Sequence, residues 1–123
     1  YKMDITNLNC DDDYFDLILC LHVLEHIYED KKAISELYRV LKPGGVCYLQ
    51  TPFKTGAIYE DERIISPEER ALAFGQHDHV RIYSVGGLEQ RLKEGGFVTS
   101  IQNFEEDQYY GLKQEFMIKA SKT

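Results

Sequence analysis

His22, Glu25 and His26 stand at i, i+3 and i+4 in the run LHVLEHI. If the chain turns helical there, that spacing puts two imidazoles and a carboxylate on one face. Imidazole is the side chain best matched to moving a proton near neutral pH, so His26 is a candidate general base, as is His79 in the later run FGQHDHVRIY. The structural alternative is that Glu25-His26 is a turn and His79 packs or hydrogen-bonds locally. His77 and Asp78 read as solvent-loop residues. Arg81 and Tyr83 could either form the rim of a substrate site or serve the fold.

The elements that must position these residues follow from periodicity and punctuation. Phe15 to Leu21 is nearly continuously apolar, the pattern of a parallel strand covered on both faces. Asp30 is a plausible N-cap for the next helix, in which Ala33, Ile34, Leu37, Tyr38 and Leu41 recur at three- and four-residue spacing. Lys42 suits the negative end of that helix, and Pro43-Gly44-Gly45 should end it before a strand at Val46 to Thr51. A strand, a crossover helix and a strand make a parallel β-α-β unit.

The segment 53–83 is longer than an ordinary connection and reads as a flap or inserted helix, with a helix start at Ser66-Pro67-Glu68-Glu69. Ser84 can cap a second crossover helix with Val85, Leu88 and Leu92 inward and Gly95-Gly96 at its end. Phe97–Phe104 and Leu112–Ala120 read as strands joined by an acidic, tyrosine-bearing turn region, and with no helix between them they should pair antiparallel. Tyr1–Asp4 reads as the tail of a strand, and Ile5–Tyr14 as a polar loop.

At 123 residues the chain reads as one domain, and its 43% hydrophobic and 28% charged composition is ordinary for a folded protein. A net charge of −7 disfavours nucleic acid as a partner, because phosphate binding rests on clustered Lys and Arg. No apolar stretch approaches the ~20 residues that cross a bilayer. Cys10, Cys20 and Cys47 show no CxxC spacing and read as reduced thiols, pointing to the cytoplasm. The start at Tyr1, without the layout of a signal peptide, reads as a cut inside a larger protein.

The pieces DIT at Asp4–Thr6, FDLILCLHVLEHI, ELYRVLKPGG, VCYLQTP and YSVGGLEQRLKEGGF stand in an order and spacing that resembles the C-terminal half of a class I S-adenosylmethionine-dependent methyltransferase of type 11. The resemblance implies an α/β fold: an incomplete Rossmann-like sheet of parallel strands with a C-terminal antiparallel hairpin and crossover helices. It places Phe15–Leu21 beside Val46–Thr51, with the last strand inserted antiparallel between that strand and Phe97–Phe104. It assigns Asp4 and Ile5 to the adenine of the cofactor, and the backbone carbonyls of Cys20 and Leu21 to its methionine end. It also implies methyl transfer to oxygen or nitrogen of a small-molecule acceptor. The family's glycine-rich turn is missing, since no two glycines are spaced G-x-G. The chain by itself is therefore expected to be inactive and not to bind S-adenosylmethionine.

HVLEH and HDH together resemble the metal-assisted O-methyltransferases of small RNA and of ubiquinone biosynthesis. That likeness implies a divalent ion held by His22, Glu25, His26 and His79. His22 stands where those enzymes have a first Glu, which would shift preference towards Mn or Zn. In the complete family fold Phe15–Leu21 is interior, so its free edge here predicts a homodimer or a segment borrowed from a partner. The competing reading is a non-catalytic interaction module that retains half of a methyltransferase fold.

Overall fold

The computed structural model describes residues 3–104 and 115–123. Strand β1 is Phe15–Leu21, matching the apolar run residue for residue. It lies parallel to β2 (Leu41–Gln50), with Leu17 opposite Val46 and Leu21 opposite Gln50. Helix α1 (Asp30–Val40) joins them and buries Ala33, Ile34, Leu37 and Val40 as one stripe.

Two local expectations change. The helix ends at Val40, so Leu41 is buried from an extended position opposite Phe15, and Lys42 reaches Asp16 at 3.4 Å instead of serving the helix end. The ladder then skips to Val46, leaving Lys42–Gly45 looped out. Glycine is required there: Gly44 has φ +84°, and a Cβ on Gly45 would lie 2.8 Å from the Lys42 carbonyl oxygen. Asp30 is likewise not the cap. Glu29 occupies that position without a side-chain bond, while the Asp30 carboxylate turns inward to accept from the Tyr83 hydroxyl at 2.5 Å and from Arg91.

Strand β6 (Glu115–Ser121) runs antiparallel between β2 and β5 (Val98–Phe104), giving the sheet order β1-β2-β6-β5 expected from the sequence. Leu112–Gln114, the acidic turn region before them, Tyr1 and Lys2 lie outside the described residues. Helix α3 (Val85–Glu94) starts as expected, with Ser84 Oγ accepting from Gly87 N at 3.0 Å, and buries Leu88 and Leu92. Helices α1 and α3 touch each other and the same side of the sheet, where Cys20, Cys47, Leu49, Ile118 and Ala120 are buried. The alternate residues of β1 face the other way. Leu17 and Leu19 are 56% and 63% exposed, so among the described residues β1 is covered on one face, not on two.

The segment 53–83 is organised. Strand β3 (Phe53–Lys54) pairs parallel with β4 (Tyr83–Ser84), and Tyr59 and Ile82 exchange two backbone hydrogen bonds of 2.9 Å. Between them α2 (Pro67–Phe74) is capped by Ser66, whose Oγ accepts from Glu69 N at 3.1 Å and donates to Glu69 Oε1 at 3.0 Å. The connection thereby returns residues 79–83 to the rim of the sheet beside the end of β1. At the other end of the fold Arg39 gathers the Leu8 and Cys10 carbonyls, Asp12 and Glu36, tying the loop after Asp4 to α1.

Candidate active site

After β1 the chain adds one more ladder bond, His22 N to Gln50 O at 2.7 Å, and then turns at a left-handed His22 with φ +55°. That conformation is uncommon for a residue with a Cβ and prevents a helix from starting there. A single 3₁₀ turn, Leu24–His26, follows instead. The shared helical face expected from the i, i+3, i+4 spacing therefore does not form. His22 stays exposed, its Nδ1 3.7 Å from Glu25 Oε2, while Glu25 is only 1% exposed.

The returning connection supplies His79. One ligand atom each from Glu25, His26 and His79 lie within 4.8 Å of one another. The rings of His26 and His79 pack edge to face with centroids 4.6 Å apart, and Asp78 Oδ2 stands 3.3 Å from His26 Nδ1. Both carboxylate oxygens of Glu25 are buried with no hydrogen-bond partner. A buried carboxylate without donors is costly, whereas a cation or an added proton would relieve it. A carboxylate beside two imidazoles is a donor set that suits a divalent transition ion. The three residues fit such an ion, with His22 at the edge of the cluster.

Arg81 and Tyr83, read from sequence as possible rim residues, are 4% and 0% exposed and point inward. Arg81 donates to the carbonyls of Leu24, Ile27 and Tyr28, and Val80 N donates to Glu25 O at 2.9 Å. Burial, reinforced by the Asp30 charge, pushes the Tyr83 hydroxyl far above its ordinary pKa, so it remains a donor. The sequence reading gave Asp78 to a solvent loop and left Arg81 open between rim and fold; the structure sets Asp78 beside His26 and turns Arg81 inward. A signal for Arg81 was present: His79, Arg81 and Tyr83 alternate with Val80 and Ile82, and the first set is buried while the second is half-buried.

The cofactor candidates divide. Ile5 and Cys20 line one apolar cleft of about 410 Å³ with Val23 and Leu37. Burial and then the Glu25 charge push the Cys20 thiol up to about 12, so its side chain packs and does not react. Asp4 is exposed, and its carboxylate accepts from Thr6 Oγ1 at 2.6 Å and Thr6 N at 2.9 Å, bonds that hold it below the usual carboxylate range. Leu21 is 40% exposed. A larger cleft of about 670 Å³ opens at the carboxyl ends of β1 and β2, where open α/β sheets bind ligands. His22, Phe53, Lys54, Val85 and Phe116 are among its walls.

Residues 1–49 match the methyltransferase domain family. The chain is 29% identical over 119 residues to the ubiquinone biosynthesis O-methyltransferase of Coxiella burnetii, an alignment covering 92% of this chain and 48% of that protein. It thus spans about half the length of that relative. Among solved structures, a S-adenosylmethionine-dependent methyltransferase of Thermotoga maritima, a possible histamine N-methyltransferase, superposes with a TM-score of 0.68 at 20% identity, covering 100% of this chain and 63% of that one. The cyclase SpnF superposes with a TM-score of 0.67 at 18% identity, covering 98% and 55%. One fold therefore serves both a methyltransferase and a cyclase, and activity has to be argued from the site.

Proposed function

We propose that the chain belongs to a class I S-adenosylmethionine-dependent methyltransferase and that the intact protein methylates a hydroxyl or nitrogen of a small-molecule acceptor. The observation that carries this reading is the cluster of Glu25, His26 and His79 at the carboxyl end of β1, edged by His22, which also lines the larger cleft. The larger cleft takes the acceptor: Phe53, Val85 and Phe116 present apolar surface to its body, and His22 on its wall leads to the cluster.

Asp4 and Ile5 take the adenine of S-adenosylmethionine and the backbone carbonyls of Cys20 and Leu21 face its methionine end, a reading supported by the smaller cleft that Ile5 and Cys20 both line. The bound cofactor supplies an electrophilic methyl group. Glu25, His26, His79 and His22 would hold a divalent ion, which lowers the pKa of a coordinated hydroxyl. The single carboxylate among imidazoles favours Mn or Zn over Mg. Asp78 steadies the His26 ring, as a carboxylate behind a histidine ligand commonly does. For an acceptor handled without an ion, His26 or His79 serves as the general base. The remaining contribution of the protein is alignment of donor and acceptor.

The test is transfer of labelled methyl groups by the intact protein to a panel of phenols and amines, with Mn, Zn or chelator present. Glu25→Gln and His79→Ala should each lower kcat by roughly 100-fold, the usual weight of one acid–base or metal-positioning group. A protein that binds no S-adenosylmethionine and methylates nothing would favour the second reading, a non-catalytic module.

A further inference from the structure

We propose that Arg81 is a positioning residue for the Glu25–His26–His79 cluster, holding in place the turn that carries two of its three members. The proposal rests on the reading of that cluster as a cation site. The turn cannot hold itself. Leu24–His26 is one 3₁₀ turn closed by two backbone bonds, His26 N to Val23 O at 3.0 Å and Ile27 N to Leu24 O at 3.1 Å. So short a helix has no cooperative stability of its own, and its last carbonyls need partners from outside.

Arg81 provides them. Nη1 donates to Leu24 O at 3.0 Å and to Ile27 O, and Nη2 donates to Tyr28 O at 2.7 Å. With Nε donating to Glu60 at 3.3 Å, four of the five guanidinium donors are used. A planar fork can meet three carbonyls at once, whereas a lysine ammonium is a point charge on a flexible stem and cannot. The Arg81 side chain is 5% exposed, so these bonds are little screened by solvent.

Connectivity turns this clamp into a geometric constraint. His79 places its ring on His26, Val80 N–H bonds the Glu25 carbonyl, and Arg81 grips the carbonyls on either side of Glu25-His26. Three consecutive residues of one segment thus hold five of the other, Leu24 to Tyr28. Arg91 is the internal control: it shares Asp30 and Glu60 with Arg81, but it donates to those two carboxylates and not to the turn's carbonyls.

The experiment compares Arg81→Lys and Arg91→Lys in the intact protein. Mn binding is followed by titration calorimetry, and the imidazole nitrogens of His26 and His79 by NMR. Both variants are expected to fold. Arg81→Lys should weaken Mn binding by tenfold or more and shift both histidine signals in the metal-free protein. Arg91→Lys should leave affinity within about twofold and the signals in place. Wild-type affinity in Arg81→Lys, together with loss of binding in Glu25→Gln, would overturn the positioning role and leave the cation site standing. An Arg81→Lys chain that does not fold, while Arg91→Lys does, would assign Arg81 to stability alone and also overturn it. If the wild-type protein binds no Mn, the cation reading fails and the NMR decides: signals displaced only by Arg81→Lys support the positioning role, and unmoved signals refute it.

Discussion

Glu25→Leu is expected to stabilise the metal-free protein. The Glu25 side chain is almost fully buried, and neither carboxylate oxygen has a hydrogen-bond partner. Its nearest basic group, His22 Nδ1, stands 3.7 Å from Oε2, beyond hydrogen-bond distance. Replacing inadequately compensated buried charge with apolar side chains of similar volume typically ranges from neutral to a gain of about 1–4 kcal/mol. For a chain of this size that gain corresponds to roughly 4–15 °C in Tm. Most substitutions at buried positions instead cost stability, so the sign alone is diagnostic. The assay is thermal unfolding by circular dichroism in chelator and then in Mn. Wild-type protein should gain about 2.7 kcal/mol at an ion concentration one hundred times its Kd. Glu25→Leu should gain nothing from the ion. A variant less stable than wild type by more than about 1 kcal/mol in chelator would refute the reasoning, because Glu25 would then be satisfied by contacts within the fold.

Asp30→Ala should cost about 3–5 kcal/mol in urea unfolding, because it leaves Arg81 and Arg91 partly unpaired within the fold and removes the acceptor of Tyr83; a loss below about 1 kcal/mol would sink that estimate. Cys20 and Tyr83 hold their protons more tightly folded than unfolded, so the stability they contribute is whole below pH ~9 and falls as pH rises towards 12. Each group contributes a slope of up to about 1.4 kcal/mol per pH unit, and Cys20→Ala should flatten the alkaline limb by one such step. The 123-residue chain alone should self-associate through β1, and Leu19→Lys should shift it towards monomer in sedimentation equilibrium, since Leu19 is 63% exposed on that edge strand. A wild-type chain that remains monomeric well above micromolar concentration would count against this.

Several elements were legible before any coordinates because their determinants are local. The apolar run Phe15–Leu21 gave both ends of β1, and Ser66 and Ser84 gave the starts of α2 and α3, since a capping hydroxyl acts on an amide only three residues away. The insertion of the last strand between β2 and β5 was readable only through the resemblance, because connections suggest which consecutive strands pair and not where a pair docks on the rest of the sheet. Local signals also misled where a tertiary demand opposed them. His22 to His26 has helical spacing, but the ladder bond from His22 N to Gln50 O and its left-handed φ rule out a continuous helix.

The sequence by itself determined the types of group available to the site: one carboxylate and the histidines of HVLEH and HDH, in a chain whose strands leave their polar ends at one rim. Only the tertiary structure decided that His79 lies against His26 and that Asp30 serves buried arginines and not a helix end. It alone turned Arg81 inward onto the turn before α1. These outcomes depend on where a 31-residue connection, 53–83, comes back to the sheet, and that is set by β3 pairing with β4 and by the Tyr59–Ile82 bridge. Such contacts join residues far apart in the chain, where the free energy of burial, not local propensity, selects the partners.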